Sequence, residues 1–372
     1  MRVDRIVLRE IRLELKEPFR ISSGEVRERR IMLLELFDAS GASVWSECVA
    51  GEAPNYSSET IDTAWIVISQ FVAPRVLGRT FGHPGDVHAV LDQDFRGHNM
   101  AKAAVEMGVW ALAAVMAGEP LARLLGGTRS EIATGISLGI QASPAALIEK
   151  ARAALDAGYR KVKIKIAPAR DVEWIAAVRE ALGPGAHLMA DANNAYTLDD
   201  VDRLVALDGF GLMMIEQPLA HDDIVRHAEL QKRLKTPICL DESITGLDQA
   251  QDMVTLGSGR IINIKSGRVG GFTPAIAIHD FCQERAVPVW CGGMLESGVG
   301  RAYNVAIASL PNFTLPGDVS PSARYWARDI VSPEWTMDRG MVRVPLDKPG
   351  IGVEVDAARV SALTVRTAEL RA

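Results

Sequence analysis

The feature that most narrows the folds open to this chain is a beat of short apolar runs, about 25 residues apart, four of them closed by a charged residue. Val162 to Ile166, His187 to Ala190, Leu212 to Ile215, Ile238 to Leu240, Ile261 to Ile264, Val289 to Cys291 and Phe313 to Leu315 follow one another along the second half. Stretches of helical composition fill nearly every gap, such as Asp171 to Leu182 and Thr273 to Arg285. Strands that alternate with helices pair in parallel and are buried on both faces. Seven or eight such units at this period favour a closed barrel over an open sheet. Helix punctuation agrees with that reading. Ser143-Pro144 supplies an N-cap and a first-turn proline, Leu147, Ile148 and Ala151 form one face, and Gly158 ends the helix.

The first third of the chain does not share the beat. Ile6, Leu8, Ile11, Leu13 and Leu15 alternate imperfectly, and Ile31 to Phe37 precede a turn at Ser40-Gly41, so residues 1 to about 55 read as strands. A polar loop, Pro18 to Gly24, is expected between them. A helical pattern runs from Met100 to Met116 and stops near Gly118-Glu-Pro120, and Leu124-Leu-Gly-Gly127 marks the change of character. The expected division is an α+β capping domain over 1–127, a (β/α) barrel over 128–330, and a segment over 331–372 that returns to complete the cap. That last segment includes a strand at Met341 to Val344. A chain of 372 residues suits one large domain with a smaller partner.

Charge and cysteine usage exclude several classes. The net charge of −6 arises from 47 acids and 41 bases spread without a basic block, which speaks against a nucleic-acid partner. Cys48, Cys239, Cys282 and Cys291 form no C-x-x-C pair, so neither a zinc site nor a redox dithiol has support. The first residues carry charges throughout, unlike a signal peptide, and no apolar run approaches bilayer-spanning length. A cytoplasmic location without membrane association is the expectation.

Chemistry concentrates where the strands stop. Asp191 follows His187-Leu-Met-Ala, Glu216 follows Leu212-Met-Met-Ile and Asp241 follows Ile238-Cys-Leu, with 25 residues between each acid and the next. One strand–helix unit of a barrel takes roughly 30 residues, so each interval is one step round the ring. Three acids at adjacent strand ends converge, and without a partner they would repel one another in a desolvated site. A hard divalent cation with oxygen ligands resolves this, and Mg²⁺ is the favoured choice. Any one of the three, taken alone, also reads as a helix N-cap or an exposed loop acid.

Lysines flank the trio. Alternation in Lys161-Val-Lys-Ile-Lys165 puts the three lysines on one face and Val162, Ile164 and Ile166 on the other. Lys165 precedes Asp191 by 26 residues and Lys265 follows Asp241 by 24, so the five residues take consecutive strand ends. Lys163 beside Lys165 is positioned to lower an ammonium pKa and make a base, whereas Lys161 is assigned a solvated rim position. Structural ion pairing of Lys165 and Lys265 with the acids is the plainer alternative.

At these residues the chain closely resembles the enolase superfamily, and within it the muconate-lactonising-enzyme subgroup. That subgroup shows a K-x-K strand, then Asp, Glu and Asp metal ligands, then a second lysine, here Lys163-Ile-Lys165, Asp191, Glu216, Asp241 and Lys265. Gly51 to Thr60, Gly97 to Glu106, Gly292 to Gly298, Leu315 to Ser320 and Arg324-Tyr-Trp326 resemble the branch of o-succinylbenzoate synthases and N-acylamino acid racemases. Arg268, three residues after Lys265, is similar to members able to racemise, while Ala111 after Trp110 departs from relatives that carry Asp.

The resemblance implies a (β/α)7β-type modified TIM barrel beneath an α+β cap. It also implies Mg²⁺, with Mn²⁺ or other divalent ions accepted, held by Asp191, Glu216 and Asp241 on a substrate carboxylate. Lys165 and Lys265 would move the α-proton through an enediolate, in dehydration to o-succinylbenzoate or in racemisation of N-succinylamino acids. The implied pocket includes Ser137, Asn193, Arg268, Gly293, Met294 and Leu295, with Phe19 and Tyr56 from the cap. The expected partners are a small-molecule carboxylate and further copies of the chain in a homo-oligomer. Dipeptide epimerase and muconate cycloisomerase are the nearest alternatives, and a Schiff-base aldolase or a retired barrel the remote ones.

Overall fold

The structure is a computed structural model that describes residues 1–21 and 24–372. Two long alternating runs open it. β1 (Val3–Ile21) and β2 (Gly24–Asp38) pair antiparallel, and β3 (Ser43–Cys48) adds to β2. Ile6, Leu8, Leu34 and Leu36 share one buried face of this sheet, and Ile11 and Ile31, buried too, pair on the other. The loop expected over Pro18 to Gly24 is replaced, as far as it is described, by continued pairing. Phe19 lies opposite Val26 and Arg20 opposite Glu25. The polar stretch before Phe19 shifts the register between Glu14 and Phe19 without ending the strand, which is how an edge irregularity accommodates Pro18. Ser22 and Ser23 of the expected loop lie outside the described residues.

The fourth strand of the sheet comes from the far end of the chain, where Thr364–Arg371 pairs antiparallel with β1. The helix Asn99–Ala117 packs on the sheet, and Gly108 permits that approach, since a Cβ there would stand 2.8 Å from Leu36 Cδ1. This helix is long and apolar enough to cross a bilayer, contrary to the reading that no such run exists, but it is a mostly buried core helix of the cap.

The barrel follows. β4 (Glu131–Ala133) leads into β5 (Ile136–Leu138), β6 (Val162–Lys165), β7 (Leu188–Asp191), β8 (Ile215–Glu216), β9 (Ile238–Leu240), β10 (Ile261–Ile264) and β11 (Val289–Cys291). β5 to β11 form one parallel sheet in chain order. The eighth position, expected as a strand at Phe313 to Leu315, holds bridges only, with Phe313 against Val289 and Gly317 against Thr134. Pro316 and Gly317 prevent a regular ladder there. The ring still closes, because the Gly135 N–H donates to the Gly317 carbonyl at 2.7 Å and the Asp318 N–H to the Cys291 carbonyl at 2.8 Å. The result is a (β/α)7β barrel under an α+β cap. The late strand appears as Met341–Arg343 and pairs with β4, not with the cap sheet.

Alternation sorts the barrel side chains into two populations. Ile164, Leu188, Ala190, Ile215, Leu240 and Ile264 face the helices and belong to the main core. Met189, Met214, Cys239, Ile261 and Trp290 point inward and form a separate small cluster that plugs the ring. The polar strand ends sit on this plug.

Candidate active site

The five residues at the heart of the sequence reading occupy neighbouring strand ends. Lys165, Asp191 and Glu216 are the last residues of β6, β7 and β8, and Asp241 and Lys265 directly follow β9 and β10. Lys165 pairs with Asp191, and Asp191 with Glu216, across the ladder. All five are buried or nearly so.

Hydrogen bonds tie them together. Lys165 Nζ donates to Asp191 at 2.6 Å and to Asn193 Oδ1 at 2.6 Å. Lys163 Nζ stands 3.1 Å from Asp191, 3.1 Å from Glu216 and 2.6 Å from Asp318. Lys265 donates to Asp241 at 2.7 Å and to the Tyr56 hydroxyl at 3.1 Å, and the Arg268 guanidinium bonds the other Asp241 oxygen. The Asn263 amide donates to Glu216 at 2.7 Å.

The electrostatics follow from burial and partners. Burial pushes every acid of the row up. At Asp191 the ammonium groups of Lys165 and Lys163 outweigh it and hold the carboxyl far below the usual range. Lys265 and Arg268 likewise outweigh burial at Asp241 and lower it. Glu216 goes the other way, because burial and the adjacent Asp191 raise it well above an ordinary carboxyl. Burial pulls Lys163 and Lys265 down, but Asp318, Glu216 and Asp191 raise the first, and Asp241 and Tyr56 raise the second.

The donor set is all oxygen on three adjacent strand ends, with one acid whose surroundings disfavour its charge, and it fits a hard divalent cation by its chemistry. As the side chains stand, each acid is turned to an ammonium, guanidinium or amide group, and among the described residues no three acids close on a single point.

A cavity of about 370 Å³ opens above the row, between barrel and cap. Lys163, Lys165 and Lys265 line it, as do Ser137, Asn193, Gly293, Met294, Leu295, Phe19 and Tyr56. Asp191, Glu216 and Asp241 lie beneath its wall, and Arg268 is behind Asp241. Gly293 is obligatory, since a Cβ would meet the Asp318 carbonyl oxygen at 2.7 Å. Asn193 and Leu295 hold φ of +42° and +58°, a strained backbone concentrated at the site.

Three participants escaped the sequence reading. Asp318 ends the irregular eighth segment, so the rule that found the other acids applies, but Pro316-Gly317 hides the strand that would flag it. Asn263 shares the inward face of Lys265 and was detectable by alternation. Glu242 accepts the side-chain amides of Asn193 and Asn194 at 3.3 and 3.2 Å. Lys161 was misplaced at a solvated rim. It is fully buried, 3.6 Å over the Trp290 ring and 3.4 Å from Asp318, because the alternation that turns Lys163 inward turns Lys161 inward too, deeper in the ring.

A (β/α)7β barrel with a cap of this build, and a row of three acids between lysines at its mouth, has the plan of an enolase-type enzyme. Residues 146–359 match the family model described as enolase C-terminal domain-like, and residues 4–126 that of the mandelate racemase / muconate lactonizing enzyme N-terminal domain. The chain belongs to the enolase superfamily, in the branch of o-succinylbenzoate synthases and N-succinylamino acid racemases. It is 51% identical to an o-succinylbenzoate synthase of Geobacillus stearothermophilus, over 97% of this chain and 96% of the relative. It is 44% identical to an N-succinylamino acid racemase of Amycolatopsis sp., over 95% of each. The crystal structure of an enolase-superfamily member from Listeria innocua superposes with a TM-score of 0.96 at 39% identity, covering 100% of this chain and 99% of that one. Members of the family depend on a divalent metal, generally Mg²⁺.

Proposed function

We propose that the chain removes the proton α to a substrate carboxylate, in dehydration to o-succinylbenzoate and in racemisation of N-succinylamino acids. The observation that carries this reading is the pair of ammonium groups on the cavity wall. Lys165 on β6 and Lys265 after β10 flank the three strands that bear the acids. Asp191, Glu216 and Asp241 would hold Mg²⁺, or Mn²⁺ in its place, which supplies positive charge for the substrate carboxylate and the enediolate that forms from it.

In dehydration Lys165 takes the α-proton and then, as an acid, assists the departing hydroxide, while Lys265 faces the anion from the other side. In racemisation one lysine takes the proton and the other returns one to the opposite face. Asn193 orients Lys165, and Tyr56 and Arg268 fix Lys265 and Asp241.

The wall favours an acylated amine over the free ammonium of a dipeptide. Among the described residues, each lining acid is already engaged: Asp318 by Lys163, Glu52 by Arg29, Glu25 by Arg20, and Glu59 by the N–H groups of Met100 and Ala101. An ammonium group there would meet the cations Lys163, Lys165, Lys265 and Arg29 and no carboxylate without a cationic or N–H partner among the described residues. The free, buried state of all four cysteines accords with a reducing cytoplasm. Exposed Ile66, Phe71 and Val365 on the cap accord with a homo-oligomer.

The test is α-proton exchange in deuterated buffer with each enantiomer of an N-succinylamino acid. The parent exchanges both, Lys165→Ala and Lys265→Ala each lose exchange from opposite enantiomers by about 10³-fold or more, and chelation abolishes both until Mg²⁺ is restored. Exchange that survives chelation, or variants that lose the same enantiomer, would overturn the reading.

A further inference from the structure

Two guanidinium groups near the cavity wall have no acidic partner among the described residues. Arg301, on the helix Gly298–Ile307, is fully buried. Its Nη2 reaches the Glu296 carbonyl at 3.2 Å, and its Nε and Nη1 are unpartnered. Arg324 closes the turn Ser322–Arg324, half-buried. Its Nη2 lies 3.5 Å from the Ser137 carbonyl, and its buried Nε has no partner. Both guanidinium carbons stand 5.4 Å from the ring of Tyr325, which is itself part of the cavity wall.

An ionised group withdrawn from water without an opposite charge is unfavourable, and one tyrosine face offsets only part of that for two cations. None of the acids of this neighbourhood forms an ion pair with Arg301 or Arg324 among the described residues. Glu17 pairs with Lys150 at 2.6 Å and feels Arg324 only at longer range, Glu25 pairs with Arg20 at 2.5 Å, and Glu296 accepts from the Met294 N–H and the Asn304 amide through Oε1, leaving its buried Oε2 unpartnered. Arg29, the guanidinium that lines the main cavity, differs in having an acidic partner: its Nη1 stands 2.8 and 2.9 Å from the two oxygens of Glu52, although its buried Nε is unpartnered as well.

A small cleft adjoins the main cavity where Arg324 sits. It measures about 20 Å³, and Phe19 and Tyr325 line both spaces. Arg20, Gln141, Lys150 and Glu17 share the lining, but Lys150 is held by Glu17, Arg20 by Glu25 and the Gln141 amide by the Gly139 carbonyl, so Arg324 is the cation there without an acidic partner among the described residues. Such a volume takes one small polar group and no ring or long side chain.

We propose that Arg324, with the field of Arg301 behind Tyr325, receives the terminal carboxylate of the substrate's succinyl arm. The inference deepens the reading given above, since both substrates named there carry that arm. The site thereby takes dicarboxylates: one carboxylate at the row of acids and lysines, the other on a guanidinium whose planar fork matches it. One subsite serves both reactions, because what it grips is the part the two substrates share.

Equilibrium binding tests this without requiring turnover. N-succinylglycine, N-acetylglycine and N-succinamoylglycine, in which an amide replaces the terminal carboxylate, are titrated calorimetrically with Mg²⁺ into the parent, Arg324→Gln and Arg324→Lys. For the parent, the preference for the succinyl ligand over the acetyl one falls about 10- to 100-fold in Arg324→Gln and partly returns in Arg324→Lys. The succinamoyl ligand loses a similar factor on the parent and loses nothing further on Arg324→Gln, as expected when one contact is removed twice.

Equal weakening of all three ligands, or an unchanged preference, would sink the assignment. If Arg324→Gln fails to fold, the parent's discrimination between carboxylate and amide still decides, since parity between them leaves the subsite without a role. Proton exchange judges the proposed reaction separately, so the two failures are distinguishable.

Discussion

At the scale of single residues, the site rests on side chains that never meet the cavity. Lys165 is oriented by Asn193, and Asn193 is in turn held by Glu242. Removing the far end of this chain should misdirect the near end. Glu242→Ala is expected to lower the rate of α-proton exchange about tenfold while KM changes less than threefold, because a displaced base slows the chemistry more than it weakens binding. A purely structural role for Glu242 would lower Tm without that split between kcat and KM. The same dependence explains what the sequence concealed. Asp191, Glu216 and Asp241 end apolar runs and announce themselves, whereas Glu242 acts through its neighbours with no spacing of its own, and Asn263 is marked only by sharing the inward face of Lys265.

Among the elements, the barrel strands were legible because burial on both faces forces unbroken apolar runs, and six of the seven expected runs became strands within a residue or three of the expected limits. Phe313 to Leu315 did not, since its ladder partners are reached through a proline and a glycine. The Pro18 region failed in the opposite sense. Its polarity suggested a loop, but pairing with β2 overrides composition at an edge. Contacts between cap and barrel had no sequence signal at all. Glu106 on the helix Asn99–Ala117 accepts from the N–H groups of Phe272 and Thr273 at 2.7 and 2.9 Å and so caps the helix Phe272–Glu284. The approach is possible because Gly271 has φ of +128° and no side chain, and a Cβ would stand 2.2 Å from Glu106 Oε2. Gly271→Ala is therefore expected to cost about 2–4 kcal/mol in urea denaturation, whereas glycine-to-alanine where neither strain nor clash arises stabilises by about 0.4–1 kcal/mol.

For the whole molecule, the two ends of the chain meet in one sheet, and β1 carries Phe19 from that sheet to the cavity. A chain ending at Leu363 lacks the strand Thr364–Arg371 and leaves β1 with an unpaired edge. Such a truncation is expected to raise KM by about three- to tenfold with a smaller effect on kcat, because the wall loosens while the strand-end lysines, seated on the barrel, keep their places. An equal fall in both parameters would mean that the cap sheet also steadies the proton-transfer groups.

The apolar plug of Met189, Met214, Cys239, Ile261 and Trp290 closes the ring below the lysines, and the cavity lies on the opposite side, against the cap. There its wall is made by Phe19 of β1, the Tyr56 segment and Tyr325. What enters is therefore decided by parts of the chain that do not perform the reaction. A lineage that redraws those borders inherits a working acid–base apparatus and can acquire new molecules to use it on.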